Sequence, residues 1–333
     1  MSVWSSVLGL LIAGLGAWGI PALGMRMLVP SLESSGRLTP NYRGRMVFVG
    51  LGLVWIFWSF GTLLLLAAVF LSANAAYDSL LLLSAAWPLV LGTFALGFID
   101  DVFGTSADKG LKGHMRALAH GRLTTGGLKL IGIGVISLYA SYSSVLLTTG
   151  VVDSPPVMLL IVLCRAVLIA GCANLINLLD LRPGRALKSY LLLSTLAVIG
   201  LILTEVVQDG SLMIEPAALP RLLLPAVLLA GPALAVWRYD LAERGMLGDA
   251  GANAAGALVG LVLAVALPLW WLLAAAVAAV VLNVASERVS FSQFIAQNRL
   301  LAWLDGLGRL PDDPALLGAS TPDVSVRNGR HDG

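Results

Sequence analysis

Residues 250–285 read AGANAAGALVGLVLAVALPLWWLLAAAVAAVVLNVA, without one charged side chain. Such a stretch suits membrane-spanning helices, which need about 20 mainly apolar residues each. Pro268 divides it in two, because proline removes a helical hydrogen bond and kinks or breaks a helix, and Trp270 and Trp271 follow where interfacial aromatic residues are expected. The stretch therefore predicts a tight hairpin of two membrane-spanning helices.

The whole chain has a composition that does not suit a water-exposed fold. Of its 333 residues, 58% are hydrophobic and 12% are charged, whereas soluble domains carry about 25% charged residues; the mean hydropathy is +0.89. A soluble globular enzyme is therefore excluded. The net charge of +2 is too small to indicate a nucleic-acid partner. Cys164 and Cys172 lie in one apolar run, more than a helical turn apart, and are interpreted as packing residues.

Uninterrupted apolar runs predict nine membrane-spanning helices and hence an all-α, polytopic integral membrane protein. The predicted spans cover residues 3–24, 46–71, 80–99, 128–149, 157–179, 186–204, 222–236, 250–267 and 269–285. Residues 290–310 mix apolar side chains with Gln, Asn, Arg and Asp, so they predict a C-terminal amphipathic cytoplasmic helix that is too polar to span. We divide the chain into a membrane domain (1–289), this helix (290–310) and a tail (311–333) whose Asp, Pro, Gly and Ser content predicts disorder.

The basic residues predict how the chain is oriented. With the N-terminus outside, all Lys and Arg residues except Arg165 and Arg221 fall on the inner side, as the positive-inside rule requires. Arg165 lies within the fifth predicted span, where a charge is expensive. We interpret it as one half of a structural ion pair, with Glu205 as the candidate partner.

Two adjacent carboxylates, Asp100 and Asp101, end the third predicted span on the inner side. Side by side they repel each other unless a cation lies with them. A divalent metal, or Lys109 and Lys112 in the following loop, would serve. A plain solvated helix end is the alternative interpretation.

A row of polar residues, Asn174, Asn177 and Asp180, ends the fifth predicted span. Their spacing of i, i+3 and i+6 keeps them on one side of a helix, so they can line one wall of a cavity. Hydrogen bonding between helices is the alternative for the two asparagines, although it does not account for Asp180.

The eighth predicted span opens on Gly248-Asp249-Ala250-Gly251. Glycines at a helix N-terminus allow close backbone approach, free N–H groups there point at an incoming anion, and a carboxylate can hold a divalent cation that bridges phosphate oxygens. A simple helix N-cap by Asp249 is the alternative. Basic side chains in the loop over residues 105–127 can neutralise phosphates. Together, three carboxylate sites and these cations suit Mg²⁺-dependent phosphoryl transfer.

The chain contains four motifs in this order: Gly-Phe-Ile-Asp-Asp at 97–101, Lys-Gly-Leu at 109–111, Asn-x-x-Asn-x-x-Asp at 174–180 and Gly-Asp-x-Gly at 248–251. This set resembles the polyprenyl-phosphate N-acetylhexosamine-1-phosphate transferases, the superfamily that includes the phospho-N-acetylmuramoyl-pentapeptide translocase. The resemblance runs from Thr39-Pro40-Asn41 to about residue 285. It implies transfer of a sugar-1-phosphate from a UDP-sugar to a polyprenyl phosphate, with release of UMP, for cell-envelope glycan synthesis. It also implies a site on the cytoplasmic face of the bacterial inner membrane and a homodimer.

The resemblance carries residue roles with it. Asp249 and Asp100 are expected to bind Mg²⁺, with Mn²⁺ as a possible substitute, and Asp100, Asp101 and Asp180 are expected to be catalytic. One aspartate of the Asp100-Asp101 pair either deprotonates the lipid phosphate or shapes the metal site. The expected substrate-binding residues are Lys109, Lys112, Arg116, Asn174, Asn177, Arg182 and Asn253.

Three departures from the family pattern indicate a divergent branch. Pro183 stands where a carboxylate associated with nucleotide recognition is usual, the last inner loop lacks a histidine cluster, and nine spans are predicted where ten are common. An alternative function follows from these losses. A catalytically silent relative would bind polyprenyl phosphate, or an envelope-assembly partner, as a scaffold.

Overall fold

A computed structural model of the chain describes residues 3–71, 77–105, 110–148, 154–209 and 219–310. Most of these residues are helical. The helices are α1 (Val3–Gly14), α2 (Ile20–Ser34), α3 (Val54–Leu71), α4 (Tyr77–Phe103), α5 (Gly110–Ala119), α6 (Thr125–Thr148), α7 (Pro155–Leu179), α8 (Arg185–Asp209), α9 (Leu219–Leu241), α10 (Gly248–Ala266), α11 (Leu269–Ser286), α12 (Phe291–Gln297) and α13 (Arg299–Gly306). A π-helical turn, Leu15–Gly19, joins α1 to α2, and a 3₁₀ turn, Leu51–Leu53, precedes α3.

Seven helical segments within the described residues are long and apolar enough to cross a membrane. They are Leu8–Ser34, Leu82–Phe103, Thr125–Leu147, Pro155–Leu179, Arg185–Thr204, Gly248–Ala266 and Leu269–Ser286. The prediction of a helical, polytopic membrane protein is confirmed at this level. Two of the nine predicted spans, 46–71 and 222–236, overlap α3 and α9, which are not among these seven.

Three predicted boundaries are wrong. The first helical run continues to Ser34 instead of ending at residue 24, since Gly24 lies inside α2 and does not stop the helix. The second predicted span begins at Met46, but Met46–Val49 is a strand, since a short apolar run looks alike in strand and helix. The predicted C-terminal helix is two helices, because the extended Asn298 accepts the N–H of Leu301 and starts α13 anew. The predicted disordered tail, 311–333, lies outside the described residues.

A small sheet lies at one end of the helical bundle. Strand β1 (Leu38–Pro40) pairs antiparallel with β2 (Met46–Val49), and β2 pairs in parallel with β3 (Gly245–Met246). The Asn41 side-chain oxygen accepts the N–H groups of Arg43 and Arg45, which closes the hairpin loop between β1 and β2. Because β3 leads directly into α10, the sheet fixes where α10 begins.

Helix α10 is the centre of the bundle, packed against α4, α7 and α8. Small residues make this position possible, because they let helix backbones touch. A Cβ atom on Gly256 would lie 2.2 Å from the carbonyl oxygen of Cys172, and one on Gly251 would lie 2.7 Å from the Cα of Gly52. The apolar stretch that opened the sequence is therefore a buried axis followed by a more exposed helix, α11, with Trp270 and Trp271 exposed at its start.

Substituting Gly256 by alanine tests this packing. The added Cβ has no room against a backbone carbonyl, so we expect the free energy of unfolding to fall by about 1–3 kcal/mol. Gly134→Ala on α6 is the matched control, since its Cβ meets no atom within 4 Å and removing a helical glycine is neutral or stabilising. Thermal unfolding in detergent measures both, and equal stability of the two variants would contradict the packing argument.

Two buried aromatic side chains hydrogen-bond to backbone carbonyls of α9, and proline explains the first of these contacts. Pro232 has no N–H, so the carbonyl of Leu228, four residues earlier, loses its helical donor. The indole Nε1 of Trp58 donates to that carbonyl at 2.9 Å, and the Tyr190 hydroxyl donates to the next one, of Leu229, at 2.8 Å. The first bond ties α3 to α9 through a carbonyl that a helix without proline would not leave free, and the second ties α8 to α9.

Arg165 is buried on α7. Its Nη1 donates to the hydroxyl of Ser144 on α6 at 3.0 Å, and the neighbouring Ser141 hydroxyl donates to the carbonyl of Val162 at 2.7 Å. The side chain of Glu205 lies outside the described residues, so an ion pair with Arg165 stays a prediction. The described contact ties α6 to α7 within the apolar part of the bundle.

The C-terminal helices are held to the start of α8 by Asp305. Arg185 donates to this carboxylate through Nε at 2.9 Å and Nη2 at 2.8 Å, and Arg309 donates to it as well. The Nε of Arg309 also donates to the Pro183 carbonyl at 3.0 Å. Burial raises the pKa of the Asp305 carboxyl, but the hydrogen bond and charge of Arg185 and the charge of Arg309 outweigh burial and hold that pKa below its usual range. The last 20 described residues are thus fastened beside the loop that follows Asp180.

Neutralising Asp305 should release this segment. Asp305→Asn leaves Arg185 and Arg309 beside an amide, and we expect a loss of about 2–3 kcal/mol with faster proteolysis of residues 291–310. Because the folded pKa is lowered, the wild-type contact is fully present above about pH 4 and is lost as the pH falls through the lowered pKa. Arg299→Gln, an exposed charge change on the same helix, should leave the cleavage rate unchanged; equal rates in all three proteins would refute the anchor.

Candidate active site

Helices α4 and α10 touch at Gly97. A Cβ atom there would lie 2.4 Å from the carbonyl oxygen of Asp249 and 2.6 Å from the nitrogen of Ala250. Only glycine allows this approach, because any other side chain would push the two backbones apart. Asp100 and Asp101, one turn further along α4, therefore reach the first residues of α10.

Two aspartates from other segments cap the start of α10. The Asp101 carboxylate accepts the N–H of Asp249 at 2.9 Å and that of Ala250 at 3.0 Å, and Asp180 Oδ2 accepts the N–H of Gly248 at 3.1 Å. Carboxylates at this position satisfy the unpaired N–H groups and the positive end of the helix dipole. The prediction that these N–H groups are free for an incoming anion is wrong, and so is a cap by Asp249 itself.

The other two aspartates, Asp100 and Asp249, share a lysine. Nζ of Lys129 on α6 lies 2.6 Å from Asp100 Oδ2 and forms a short ion pair with Asp249 Oδ2. Thr125, one turn earlier on α6, also hydrogen-bonds Asp100. The three side chains of this ion-pair cluster, Asp100, Lys129 and Asp249, are 17%, 15% and 30% exposed. No site role was assigned to Lys129 from the sequence, although a lysine inside the first turn of an apolar span was the signal.

A shallow polar pocket adjoins Asp180. Its lining includes Asn41, Tyr42, Arg182 and Glu243, and the Arg182 guanidinium lies over the Tyr42 ring, 5.2 Å from its centre. Burial, with repulsion from the charges of Asp240 and Asp249, raises the pKa of Asp180 well above its usual range.

The remaining predicted substrate-binding residues are not gathered in one place. Asn174 donates to Asn283 Oδ1 of α11 at 2.6 Å, which is the bond between helices that we considered as its alternative. Asn177 lies between Asn174 and the Asp180 end of α7 and is partly buried. Asn253 is fully buried and donates to the Asp249 carbonyl at 2.7 Å, so it supports the first turn of α10.

The predicted phosphate-binding loop is described only in part. Arg116 is exposed on α5, and Lys112 lies on the same helix but its side chain is not among those described. Lys109 lies outside the described residues altogether. Their part in substrate binding stays a prediction.

The position of Lys129 bears on whether Asp100 and Asp249 can bind the magnesium ion that the resemblance implies. Asp100 and Asp249 offer carboxylate oxygens, the ligands that Mg²⁺ prefers. The Lys129 ammonium, however, contacts an oxygen of each and takes the point that a bridging cation would occupy. As arranged, this pair of carboxylates fits an ammonium group and not a resident divalent ion.

Neither a family model nor a curated protein matches this chain in sequence comparison. The resemblance to the polyprenyl-phosphate sugar-phosphate transferases therefore rests on the four motifs alone. In the folded chain the aspartates of three of those motifs lie together, linked by hydrogen bonds and ion pairs. They are separated by up to 149 residues in sequence.

Proposed function

We propose that this protein transfers a sugar-1-phosphate from a UDP-sugar to a polyprenyl phosphate. The observation that carries the proposal is the meeting of Asp100, Asp101, Asp180 and Asp249 at the start of α10. Ionisable groups that border apolar helices are expensive and usually serve a function. Phosphoryl transfer needs such a site mainly to position two phosphates and to screen their charge.

The geometry supports a division of work among the four aspartates. Asp101 and Asp180 accept backbone N–H groups of α10 and hold its first turn. Asp100 and Asp249 are partly exposed and are paired with the Lys129 side chain instead of with backbone N–H groups, so we assign substrate contact to them. In the reaction, an oxygen of the polyprenyl phosphate attacks the phosphorus nearest the sugar, the bond from that phosphorus to the UMP oxygen breaks, and UMP leaves. The carboxylate of Asp100 or Asp249 takes the proton of the attacking phosphate.

We assign the donor nucleotide to the pocket beside Asp180. Tyr42 and Arg182 offer a planar ring and a planar cation there, and such surfaces stack with a nucleobase. Pro183, which stands where the family has a carboxylate, also lines this pocket. A preference for a base other than uracil would therefore be determined at this pocket.

The membrane arrangement completes the proposal. The end of the bundle that carries the aspartates also carries most of the basic residues, so the positive-inside rule turns it towards the cytoplasm of a bacterial inner membrane. In this arrangement α3 and α9 are the two further spans that bring the number to nine. The polyprenyl chain would lie in the bilayer, and a homodimer is carried over from the resemblance.

A donor panel tests the function. Purified protein with polyprenyl phosphate, divalent cation and a set of UDP- and other nucleotide-sugars is expected to release nucleoside monophosphate. Asp249→Asn should lower turnover at least about 100-fold, whereas Glu33→Gln, in an exposed pair with Arg244, should leave it unchanged. No release from any donor by folded protein would refute the transferase. Retained binding of polyprenyl phosphate in that case would favour the silent scaffold.

A further inference from the structure

Lys129 is held between two carboxylates by its own helix. It lies one turn after Thr125 at the start of α6, and both side chains bind Asp100. Its ammonium group also reaches Asp249, 120 residues away on α10. With its side chain 15% exposed, Lys129 is a fitted part of the cluster and not a surface lysine that has folded inwards.

The two carboxylates need a cation between them. Asp100 and Asp249 come from different helices that Gly97 brings into contact, and an oxygen of each carboxylate contacts the same Lys129 nitrogen. Two anions at such a distance repel strongly where water is scarce. The positive charge of Lys129 removes that repulsion.

A divalent ion and this ammonium group compete for one position. Mg²⁺ binds carboxylate oxygens at about 2.0–2.1 Å and demands near-octahedral geometry. The Lys129 nitrogen is 2.6 Å from Asp100 Oδ2 and closer still to Asp249 Oδ2, so it stands where the ion would bridge them. An ion could enter only after Lys129 had left, which would break both ion pairs.

We propose that Lys129 is the resident cation of the Asp100–Asp249 pair and takes the place of the divalent ion there. An ammonium group has three N–H donors, and two of them are used by the carboxylates. The third is available to an oxygen of a phosphate; this last step rests on the proposed function, whereas the occupancy of the carboxylate pair does not.

Manganese binding tests the proposal without turnover. Mn²⁺ is titrated into the full-length protein in detergent, and the free ion is followed by its electron paramagnetic resonance signal. The wild type is expected to show no Asp249-dependent Mn²⁺ site tighter than about 1 mM. Lys129→Met, which keeps the length of the side chain and removes its charge, should gain one site at least about tenfold tighter. Lys129→Met combined with Asp249→Asn should lose that site.

Two results would overturn the proposal. One is a tight site in the wild type that Asp249→Asn abolishes; the other is no gain of affinity in folded Lys129→Met. If Lys129→Met fails to fold, the Mn²⁺ titrations of the wild type and of Asp249→Asn still test the proposal. The proposal expects these two titrations to be identical, because Asp249 binds no Mn²⁺ in the wild type. Failure of the proposed function would show as absent monophosphate release and leave these titrations unaffected.

Discussion

Replacing Asp101 by asparagine is expected to lower sugar-phosphate transfer at least about 100-fold and the free energy of unfolding by about 2 kcal/mol. The carboxylate accepts two N–H groups of α10, from Asp249 and Ala250. An amide has only one oxygen for them, and its NH₂ group would face the second N–H. Ala250 is buried, with 5% of its surface exposed, so its N–H is poorly reached by water.

The large expected effect of Asp101→Asn on activity follows from the position of Asp101 beside Asp249. Asp249 lies in the turn that Asp101 holds, so the substitution moves a substrate-contacting carboxylate without changing it. Asp101→Ala removes both acceptors and should be less stable still, while Glu33→Gln controls for loss of an exposed carboxylate and should cost less than about 1 kcal/mol. Monophosphate release and thermal unfolding are the measurements. Wild-type turnover and stability in Asp101→Asn would show that the cap is dispensable.

Gly248→Ala is the second substitution with a large expected effect. Gly248 has a φ of +69°, in the left-handed region, and its Cβ would lie 2.7 Å from Asp101 Oδ2 and 2.5 Å from Cγ1 of Val49. Alanine therefore meets a backbone penalty of about 1–2 kcal/mol and also pushes Asp101 away from the N–H groups it caps. We expect a total loss of about 2–4 kcal/mol and at least about 100-fold lower turnover.

Gly121→Ala separates the backbone penalty from the steric contact as causes of the lost stability. Gly121 has a φ of +73°, so it carries a similar backbone penalty, but its Cβ meets nothing within 4 Å. The difference in unfolding free energy between Gly248→Ala and Gly121→Ala therefore measures the contact with Asp101 and Val49. Equal losses in the two variants, with normal turnover in Gly248→Ala, would mean that the start of α10 adapts freely.

The apolar runs predicted the helical segments well because hydrophobic periodicity and length are local properties. The strand Met46–Val49 was not predicted, since an apolar tetrapeptide becomes a strand only when other segments pair with it. Here those segments are Leu38–Pro40 and Gly245–Met246. The break at Asn298 was not predicted for a different reason: its side chain caps the start of α13 directly after α12 ends, which the average polarity of residues 290–310 does not reveal.

The candidate site, too, could be predicted from the sequence only in part. Motif order pointed to Asp100, Asp101, Asp180 and Asp249, and all four meet at the start of α10. Their individual contacts could not be read from the motifs. Asn174 shares its motif with Asp180 yet binds α11 instead, because residues three apart on a helix drift around its axis and the neighbouring helices decide which face is open.

By itself, the sequence determined that this chain belongs in a membrane and which carboxylates are exceptional within it, because transfer from water depends on each side chain separately. Only the tertiary structure decided that Asp101 and Asp180 cap a helix while Lys129 lies between Asp100 and Asp249. The physical reason is distance. Hydrogen bonds and ion pairs act over a few ångströms, and Gly97 brings together atoms that lie about 150 residues apart along the chain.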